Sequence, residues 1–225
     1  GGVGAARFLR GLIAAVPPSE VTAVVNTADD GPINGLWVSP DLDTVTYTLA
    51  GAIDPDRGWG LSDESWRVME SIRRYIDVRP ADSTAANDWF NLGDRDLATH
   101  LYRTARRNEG APLSAITDEI RRAWNVAVRI VPMADEPVAT LVDVSTDHGT
   151  QRIGFQEYFV RLRHSVPIVG VTFQGADAAR PTFLPIIESS DVVVIAPSNP
   201  IVSIGPIRAL GGVDRALAAR RDRVV

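Results

Sequence analysis

The sequence predicts an α/β protein with a doubly wound, mainly parallel sheet covered by helices on both faces, which is a Rossmann-like three-layer arrangement. Two observations carry this prediction. Short runs of β-branched residues alternate with stretches of helical period, and the runs are too apolar for strands with one exposed face. The chain also begins with a glycine loop, GGVG, that leads directly into an amphipathic helix, a pattern that normally follows a buried strand.

The individual elements follow from the same periodicities. Strands are predicted at residues 21–26, 126–131, 168–173 and 192–196, and a hairpin at 138–145 and 151–155, joined through Asp147-His148-Gly149. Helices are predicted at residues 5–15, 44–52, 64–76, 96–108, 114–124, 155–163 and 203–210.

The predicted helices and strands divide the chain into two parts. Residues 1–53 and 126–225 form the predicted nucleotide-binding core, and residues 54–125 are predicted to be a mainly helical insertion. No strand precedes Gly1, and the last three residues, Arg-Val-Val, resemble the start of a strand. We therefore expect a segment of a longer protein that lacks the first strand and the C-terminal part.

Composition excludes several classes of function. The 23 basic and 28 acidic residues give a net charge of −5 without a basic block, and no apolar run approaches a membrane span. There is neither Cys nor Lys, which excludes disulfides, thiolate metal sites, Schiff bases and a Walker A lysine. We expect a soluble, cytoplasmic protein that binds neither nucleic acid nor membrane, and whose metal, if any, is Mg²⁺ on carboxylates.

The ligand of a doubly wound sheet binds beyond the carboxyl ends of its strands, which directs attention to residues 1–4, 27–43 and 197–203. The glycine loop departs from the dinucleotide fingerprint, because Arg7 replaces the third glycine and Asn26 replaces the ribose-binding acid. NAD is therefore disfavoured. The first amides of the helix can still hold a phosphate, and the alternative is a tight turn without a ligand.

Four carboxylates, on Asp29, Asp30, Asp41 and Asp43, are expected near one loop mouth. Each can be a turn former, and Asp43 is well placed to cap the helix predicted from Thr44. Together they favour a Mg²⁺ site, because a phosphate could hardly approach so acidic a mouth without a cation. Further along, Asp96 and His100 share one helical face, and there the simpler interpretation is a well-capped helix.

Several strings, in this order, resemble the 2-phospho-L-lactate transferase family of coenzyme F420 biosynthesis. They are GGVGAARFL, VVNTADD, SPDLDTVTYTLAGAIDPDRGWG, LGDRDLATHLYRT, GFQEYF and APSNPIVSIGPI, and they cover nearly the whole chain. The resemblance implies transfer of a phospho-organic-acid unit from a guanosine diphosphate conjugate to the ribityl hydroxyl of the deazaflavin Fo. GMP is released, Mg²⁺ is the cofactor, and the protein is a homodimer.

The resemblance also implies site residues. Asp43 and Asn91 would contact the deazaflavin, Asp30 and Asp43 would be the catalytic and metal-binding groups, and the nucleotide would lie along Gly2, Val3, Gly4, Ser198 and Asn199. Arg57, Arg95 and Arg103 are candidates for holding the donor carboxylate, or else they form salt bridges. No residue decides between phospholactate, phosphoenolpyruvate and phosphoglycerate as the transferred unit.

A second hypothesis is a non-catalytic regulator. A related family of nucleotide-sugar or dinucleotide-binding proteins, resembling gluconeogenesis factors, shares the glycine loop and the aspartate-rich turn. Those proteins carry a Gly-Gly-Ser-Ser-Gly-like run where this chain has Gly31-Pro32-Ile33-Asn34-Gly35. They also lack the LGDRDLATH string, so the transferase is the favoured hypothesis.

Overall fold

The computed structural model describes residues 1–147 and 149–225; His148, in the predicted hairpin turn, lies outside the described residues. The strands are β1 (Thr22–Val25), β2 (Gly31–Ile33), β3 (Leu36–Val38), β4 (Arg129–Pro132), β5 (Ala139–Thr146), β6 (Gly149–Gly154) and β7 (Ile168–Gln174). The helices are α1 (Val3–Leu12), α2 (Pro40–Leu49), α3 (Arg67–Ile72), α4 (Asp96–Asn108), α5 (Leu113–Ala123), α6 (Leu184–Ser189), α7 (Gly205–Ala209) and α8 (Val213–Ala219).

A parallel pair of strands, β1 and β4, lies between two layers of helices, and Thr22 pairs with Arg129 at its start. Alternate side chains of these strands pack into opposite cores. Ala23 and Val25 join α1, α2 and α5 in one apolar cluster. Val131 joins α6 and α8 in the other. The predicted parallel pairing and the three layers are therefore present.

A second sheet is antiparallel, with the order β6-β5-β7. It contains the predicted hairpin, and it also contains residues 168–173, which we predicted as a buried strand of the parallel sheet. That placement is wrong: β7 pairs antiparallel with β5, and Val169 is 61% exposed. An apolar run indicates a strand, but it does not say which neighbour the strand pairs with or which face is covered.

The fourth predicted parallel strand, at residues 192–196, is reduced to a single parallel bridge between Val193 and Val224. Backbone hydrogen bonds join Val193 N to Arg223 O at 2.9 Å and Ile195 N to Val225 O at 2.8 Å. The last residues thus run beside residues 193–195 in the direction that a parallel sheet requires.

A short hairpin, β2-β3, follows the acidic loop and was not predicted. Its turn is Asn34-Gly35, whose φ angles of 50° and 81° are both positive, the geometry that favours an Asn-Gly pair. The Asn34 amide also binds the neighbouring loop, because Asn34 Nδ2 donates to Asn87 O at 3.0 Å and Asn87 N donates to Asn34 Oδ1 at 2.7 Å. The hairpin tip therefore fixes residues 84–90 at its side.

The predicted insertion, residues 54–125, contains α3, α4 and α5. Residues 77–95, all of which the structure describes, form neither helix nor strand. Leu113 of α5 packs in the same cluster as β1 and α2, so the end of this segment contributes to the main core. Among the described helices, none is long and apolar enough to cross a membrane.

The glycines of α1 differ in what surrounds them, and this allows a matched test. A Cβ on Gly4 would lie 2.6 Å from Pro197 O, whereas a Cβ on Gly11 would meet nothing within 4 Å. We expect Gly4→Ala to lower the free energy of unfolding by about 1–3 kcal/mol, because the backbone at Pro197 must move. Gly11→Ala should raise it by up to about 1 kcal/mol, because alanine favours helix. Urea denaturation measures both, and equal effects would contradict the close approach.

Candidate functional site

A cleft of about 1330 Å³ opens beside the end of β1. The acidic loop and hairpin, residues 28–35, form one wall, and residues 83–90 form another. Residues 154–157 form part of a third side. The Trp89, Phe90 and Phe155 rings line the cleft, so it combines a carboxylate wall with aromatic surface, as a site for a flat, partly charged ligand requires.

The acidic loop begins with Asn26, which is fully buried at the end of β1. Its Nδ2 donates to Asp29 Oδ2 and to Asp41 Oδ2, each at 3.1 Å, and its Oδ1 accepts from Ala28 N at 3.0 Å. One amide thus joins carboxylates from two elements, the loop after β1 and the first turn of α2. A dinucleotide-binding protein carries an acid at this position. Here the residue is Asn26, and its amide hydrogen-bonds two aspartates.

Asp30 is held from the other side. The Ser39 hydroxyl donates to Asp30 Oδ2 at 2.5 Å, and burial raises the pKa of the Asp30 carboxyl well above 3.8, against the opposing effects of Ser39 and Arg103. Burial, with the nearby Asp41 charge, raises the pKa of Asp29 to about 7. Within the described chain, Asp29 Oδ1 and Asp30 Oδ1 are buried and accept no hydrogen bond.

Asp43 lies in a different environment. The structure begins α2 at Pro40, after the N-cap Ser39, so the predicted helix start at residue 44 and the predicted capping role of Asp43 are wrong. A proline at the first helical position is well suited to begin a helix. Asp43 instead lies within the first turn, buried, where both carboxylate oxygens accept from Arg103: Nη1 donates to Oδ2 at 3.1 Å, and Nη2 donates to Oδ1.

The ion pair continues into a chain of buried polar groups on α2 and α4. His100 Nδ1 lies 3.7 Å from Asp43 Oδ2, and His100 Nε2 lies 3.1 Å from Asp96 Oδ2. The Tyr47 hydroxyl donates to Asp96 Oδ1 at 2.5 Å. Burial acts to raise the pKa of Asp96, but the bonds from His100 and Tyr47 lower it overall. The sequence predicted only the Asp96–His100 pair of this network.

Two groups of side chains could hold a cation, and they differ in whether a positively charged side chain is already bound to them. Oxygen and nitrogen atoms of Asp43, Asp96 and His100 all lie within 4.8 Å of one another, but the Arg103 guanidinium already supplies the positive charge there. Among the described residues, no such counter-ion is bonded to Asp29 or Asp30, and each has a buried oxygen without a hydrogen-bond partner. Oxygen ligands of this kind fit Mg²⁺, so the loop after β1 is the better candidate.

The glycine loop and the residues after 196 come together, as the sequence predicts. A Cβ on Gly4 would press on Pro197 O, and one on Gly2 would lie 2.7 Å from Asp41 Oδ1. This brings the start of α1 against Ser198 and the acidic turn. Val3 lies on the other side, in a small pocket with Arg7. Asn199 caps the following turn, since its Oδ1 accepts from Ile201 N at 2.9 Å and Val202 N at 3.1 Å.

Asn91 is exposed, one residue beyond the aromatic wall, and its Oδ1 accepts from Arg73 Nη2 at 3.4 Å. The described chain does not place Asn91, Arg57, Arg95 or Arg103 on the wall of the cleft. Arg57 is bound to Glu64 at 3.1 Å and Arg95 to Ser62 O at 2.6 Å. The salt-bridge alternative therefore fits Arg57, and it fits Arg103 only as a buried pair with Asp43; the partner given for Arg95 is a backbone carbonyl oxygen.

The sequence analysis did not single out Ser39 or Tyr47, and it offered Arg103 only as a candidate for holding the donor carboxylate or for forming a salt bridge. A signal for Arg103 and Tyr47 was present. Arg103 follows His100 by three residues, and Tyr47 follows Asp43 by four, so each shares a helix face with an acid or histidine. No comparable signal marks Ser39, because a serine before a proline suggests a helix cap and not a partner for a distant aspartate.

Comparison with known proteins agrees with the motifs. The family described as 2-phospho-L-lactate transferase CofD matches residues 1–225. A phosphoenolpyruvate transferase of Streptomyces griseus subsp. griseus is 47% identical over 220 residues, covering 97% of this chain and 67% of the relative. A protein of the same name from Kitasatospora aureofaciens is 46% identical over 228 residues, covering 100% of this chain and 68% of the relative.

The chain spans about two thirds of the length of these relatives. Among solved structures, a member of the UPF0052 family from Bacillus halodurans superposes with a TM-score of 0.59 at 19% identity, covering 96% of this chain and 63% of that one. Identity this low shows a shared fold only. The match along the whole sequence and the near-50% identity to named relatives show that the chain belongs to the 2-phospho-L-lactate transferase family.

Proposed function

We propose that the protein transfers a phospho-organic-acid unit from a guanosine diphosphate conjugate to the ribityl hydroxyl of the deazaflavin Fo, releasing GMP. The observation that carries this proposal is the pair of buried, unpartnered carboxylate oxygens on Asp29 and Asp30 at the wall of an aromatic-lined cleft. A diphosphate needs a cation on such a wall, and a deazaflavin needs flat apolar surface.

The enolpyruvyl phosphate unit is our choice for the transferred group. Relatives that are 44–47% identical to this chain carry the name phosphoenolpyruvate transferase. The residues of the cleft do not by themselves distinguish the three acids, so the choice rests on these relatives.

Asp30 keeps the catalytic and metal-binding roles that the family resemblance implies. Asp29 and Asp30 would hold Mg²⁺, which when bound neutralises diphosphate charge and stabilises the leaving GMP. Ser39 donates to one oxygen of Asp30, and within the described residues the other oxygen is buried without a hydrogen-bond partner. Both oxygens of Asp43 accept from Arg103, so we favour Asp30 over Asp43 as the base and cation ligand.

The remaining implied contacts are assigned by position. The first amides of α1, at Gly2, Val3 and Gly4, and the Ser198 and Asn199 turn would border the guanosine nucleotide, since the structure brings these segments together. Asn91 follows the aromatic wall and would lie at its outer edge. Its contact with the deazaflavin, that of Asp43 and the homodimer stay predictions from the family resemblance. The cytoplasmic location stays a prediction from composition.

The activity is tested with the complete protein, Mg²⁺, Fo and each guanylylated acid in turn. We expect a phospho-acid-extended deazaflavin and GMP in equal amounts by mass spectrometry, with the enolpyruvyl donor converted fastest. Asp30→Asn should lower turnover by about 100-fold or more, whereas Asp56→Asn, an exposed aspartate outside the cleft, should not. Tight binding of a nucleotide-sugar or dinucleotide without product would favour the regulator instead.

The raised pKa of Asp29 predicts pH-dependent cation binding. Because its pKa is about 7 in the folded, cation-free protein, the carboxyl is mostly protonated at pH 6 and mostly ionised at pH 8. Mg²⁺ affinity should therefore rise by about tenfold between pH 6 and pH 8. Isothermal titration calorimetry measures this rise.

The stability of the protein provides a second measurement. It should fall with rising pH in the absence of a cation, whereas Mg²⁺ affinity should rise. A folded pKa above the ordinary 3.8 means that the cation-free protein loses stability as pH rises from about 4 to about 7, where the buried carboxyl ionises. Added Mg²⁺ should offset this loss. Asp29→Asn should flatten both profiles, and an unchanged pH dependence in that variant would contradict the assignment of Asp29.

A further inference from the structure

We infer that Arg103 is a positioning residue for the cation site: its guanidinium brackets the turn that carries Ser39 and thereby fixes the carboxylate of Asp30. The inference rests on the proposed function, because it concerns the cation that the proposed transfer uses. It assigns Arg103 no contact with substrate.

The guanidinium binds the turn on both sides of Ser39. Arg103 Nη1 donates to Trp37 O at 3.4 Å, two residues before Ser39, and to Asp43 Oδ2 at 3.1 Å, four residues after it. Nη2 donates to the second oxygen of Asp43. Arg103 is 1% exposed and Ser39 is fully buried, so neither contact competes with water. The planar fork of donors holds two points of one turn in a fixed geometry, which the rotatable donors of a lysine ammonium do not impose.

Ser39 passes this restraint to Asp30. As the N-cap of α2 it would ordinarily accept a hydrogen bond from its own helix, but it makes no side-chain cap. Its hydroxyl instead donates to Asp30 Oδ2 at 2.5 Å, while its carbonyl oxygen accepts from Asp43 N at 3.0 Å. Ser39 thus fixes one oxygen of Asp30, and among the described residues the other oxygen has no hydrogen-bond partner and is buried. A displaced turn would remove this orientation.

Arg103 is itself held in place. Its Nη1 lies 3.3 Å from His100 Nδ1 one turn earlier on α4, and His100 Nε2 lies 3.1 Å from Asp96 Oδ2. The turn of the acidic wall is therefore attached to α4 through a rigid side chain. Ser39 is the outer-shell group bonded to the proposed ligand Asp30, and loss of such a group commonly weakens metal binding by about 10-fold to 100-fold. Arg103 acts on Asp30 through the turn that carries Ser39.

Electrostatics and positioning predict opposite results when Arg103 is removed. Loss of a positive charge near Asp30 should by itself tighten the binding of a divalent cation. Loss of the Arg103 contacts on both sides of Ser39 should instead weaken cation binding. We expect Arg103→Met to weaken Mn²⁺ binding by about tenfold or more, measured by electron paramagnetic resonance on the complete protein well below its melting temperature. The Arg103→Lys variant should bind Mn²⁺ almost as weakly as Arg103→Met does. The Ser39→Ala variant should also bind Mn²⁺ more weakly than the unsubstituted protein.

Two further variants separate positioning from a loss of folding. Arg106→Met removes a positive charge from the same helix, where Arg106 pairs with Glu119 at 3.0 Å on the outer side, and should leave Mn²⁺ binding unchanged. The double variant Asp43→Leu with Arg103→Met removes both charges of the buried pair, which commonly restores stability. We expect it to regain most of the melting temperature and still bind Mn²⁺ about tenfold more weakly than the unsubstituted protein.

The outcomes are distinguishable. Mn²⁺ binding that equals or exceeds that of the unsubstituted protein, in the double variant or in Ser39→Ala, would overturn the positioning role and leave the proposed function intact. Failure of the unsubstituted protein to bind Mn²⁺ at all would overturn the cation site, and this inference with it. If Arg103→Met alone does not fold, the double variant and Ser39→Ala decide the question.

Discussion

The buried pair of Asp43 and Arg103 is the interaction on which the rest of the candidate site depends. It joins the first turn of α2 to the middle of α4, two helices that lie far apart in sequence. A buried ion pair is not by itself strong evidence for stability, because desolvation offsets most of the attraction. What this pair provides is a fixed relative position: the guanidinium can satisfy both carboxylate oxygens in only one arrangement of the two helices.

That arrangement divides the acids into two classes with different chemistry. Asp43 is paired with the Arg103 guanidinium, and Asp96 accepts from the Tyr47 hydroxyl and lies 3.1 Å from His100 Nε2, so both acids already have protein partners. On the other side of Ser39, Asp29 and Asp30 keep oxygens without partners. The sequence places all of them within short motifs and cannot show this division, because it depends on which carboxylate the arginine reaches.

Sequence reasoning predicted most of the fold by local pattern. The bounds of α4 agree exactly with those predicted, and α1, α5, β1 and the β5-β6 hairpin differ from prediction by a few residues. The pairing of β7 failed because an apolar run carries no information about its partner strand. Residues 77–95 contain no element because their polar, proline-containing sequence has no sustained period, and they are held instead through contacts such as that between Asn34 and Asn87.

The candidate site was predictable in its location and residue types but not in its roles. Loops at the carboxyl end of β1 and the start of α1 meet because the parallel sheet requires it. The roles depend on desolvation, which a sequence does not display. A carboxyl at the mouth of a cleft stays ionised only if a cation or a donor compensates for lost water, and Asp29 and Asp30 have such compensation in part. Their remaining need for positive charge couples ligand binding to the stability of the loop, since a cation that binds only the folded state stabilises it.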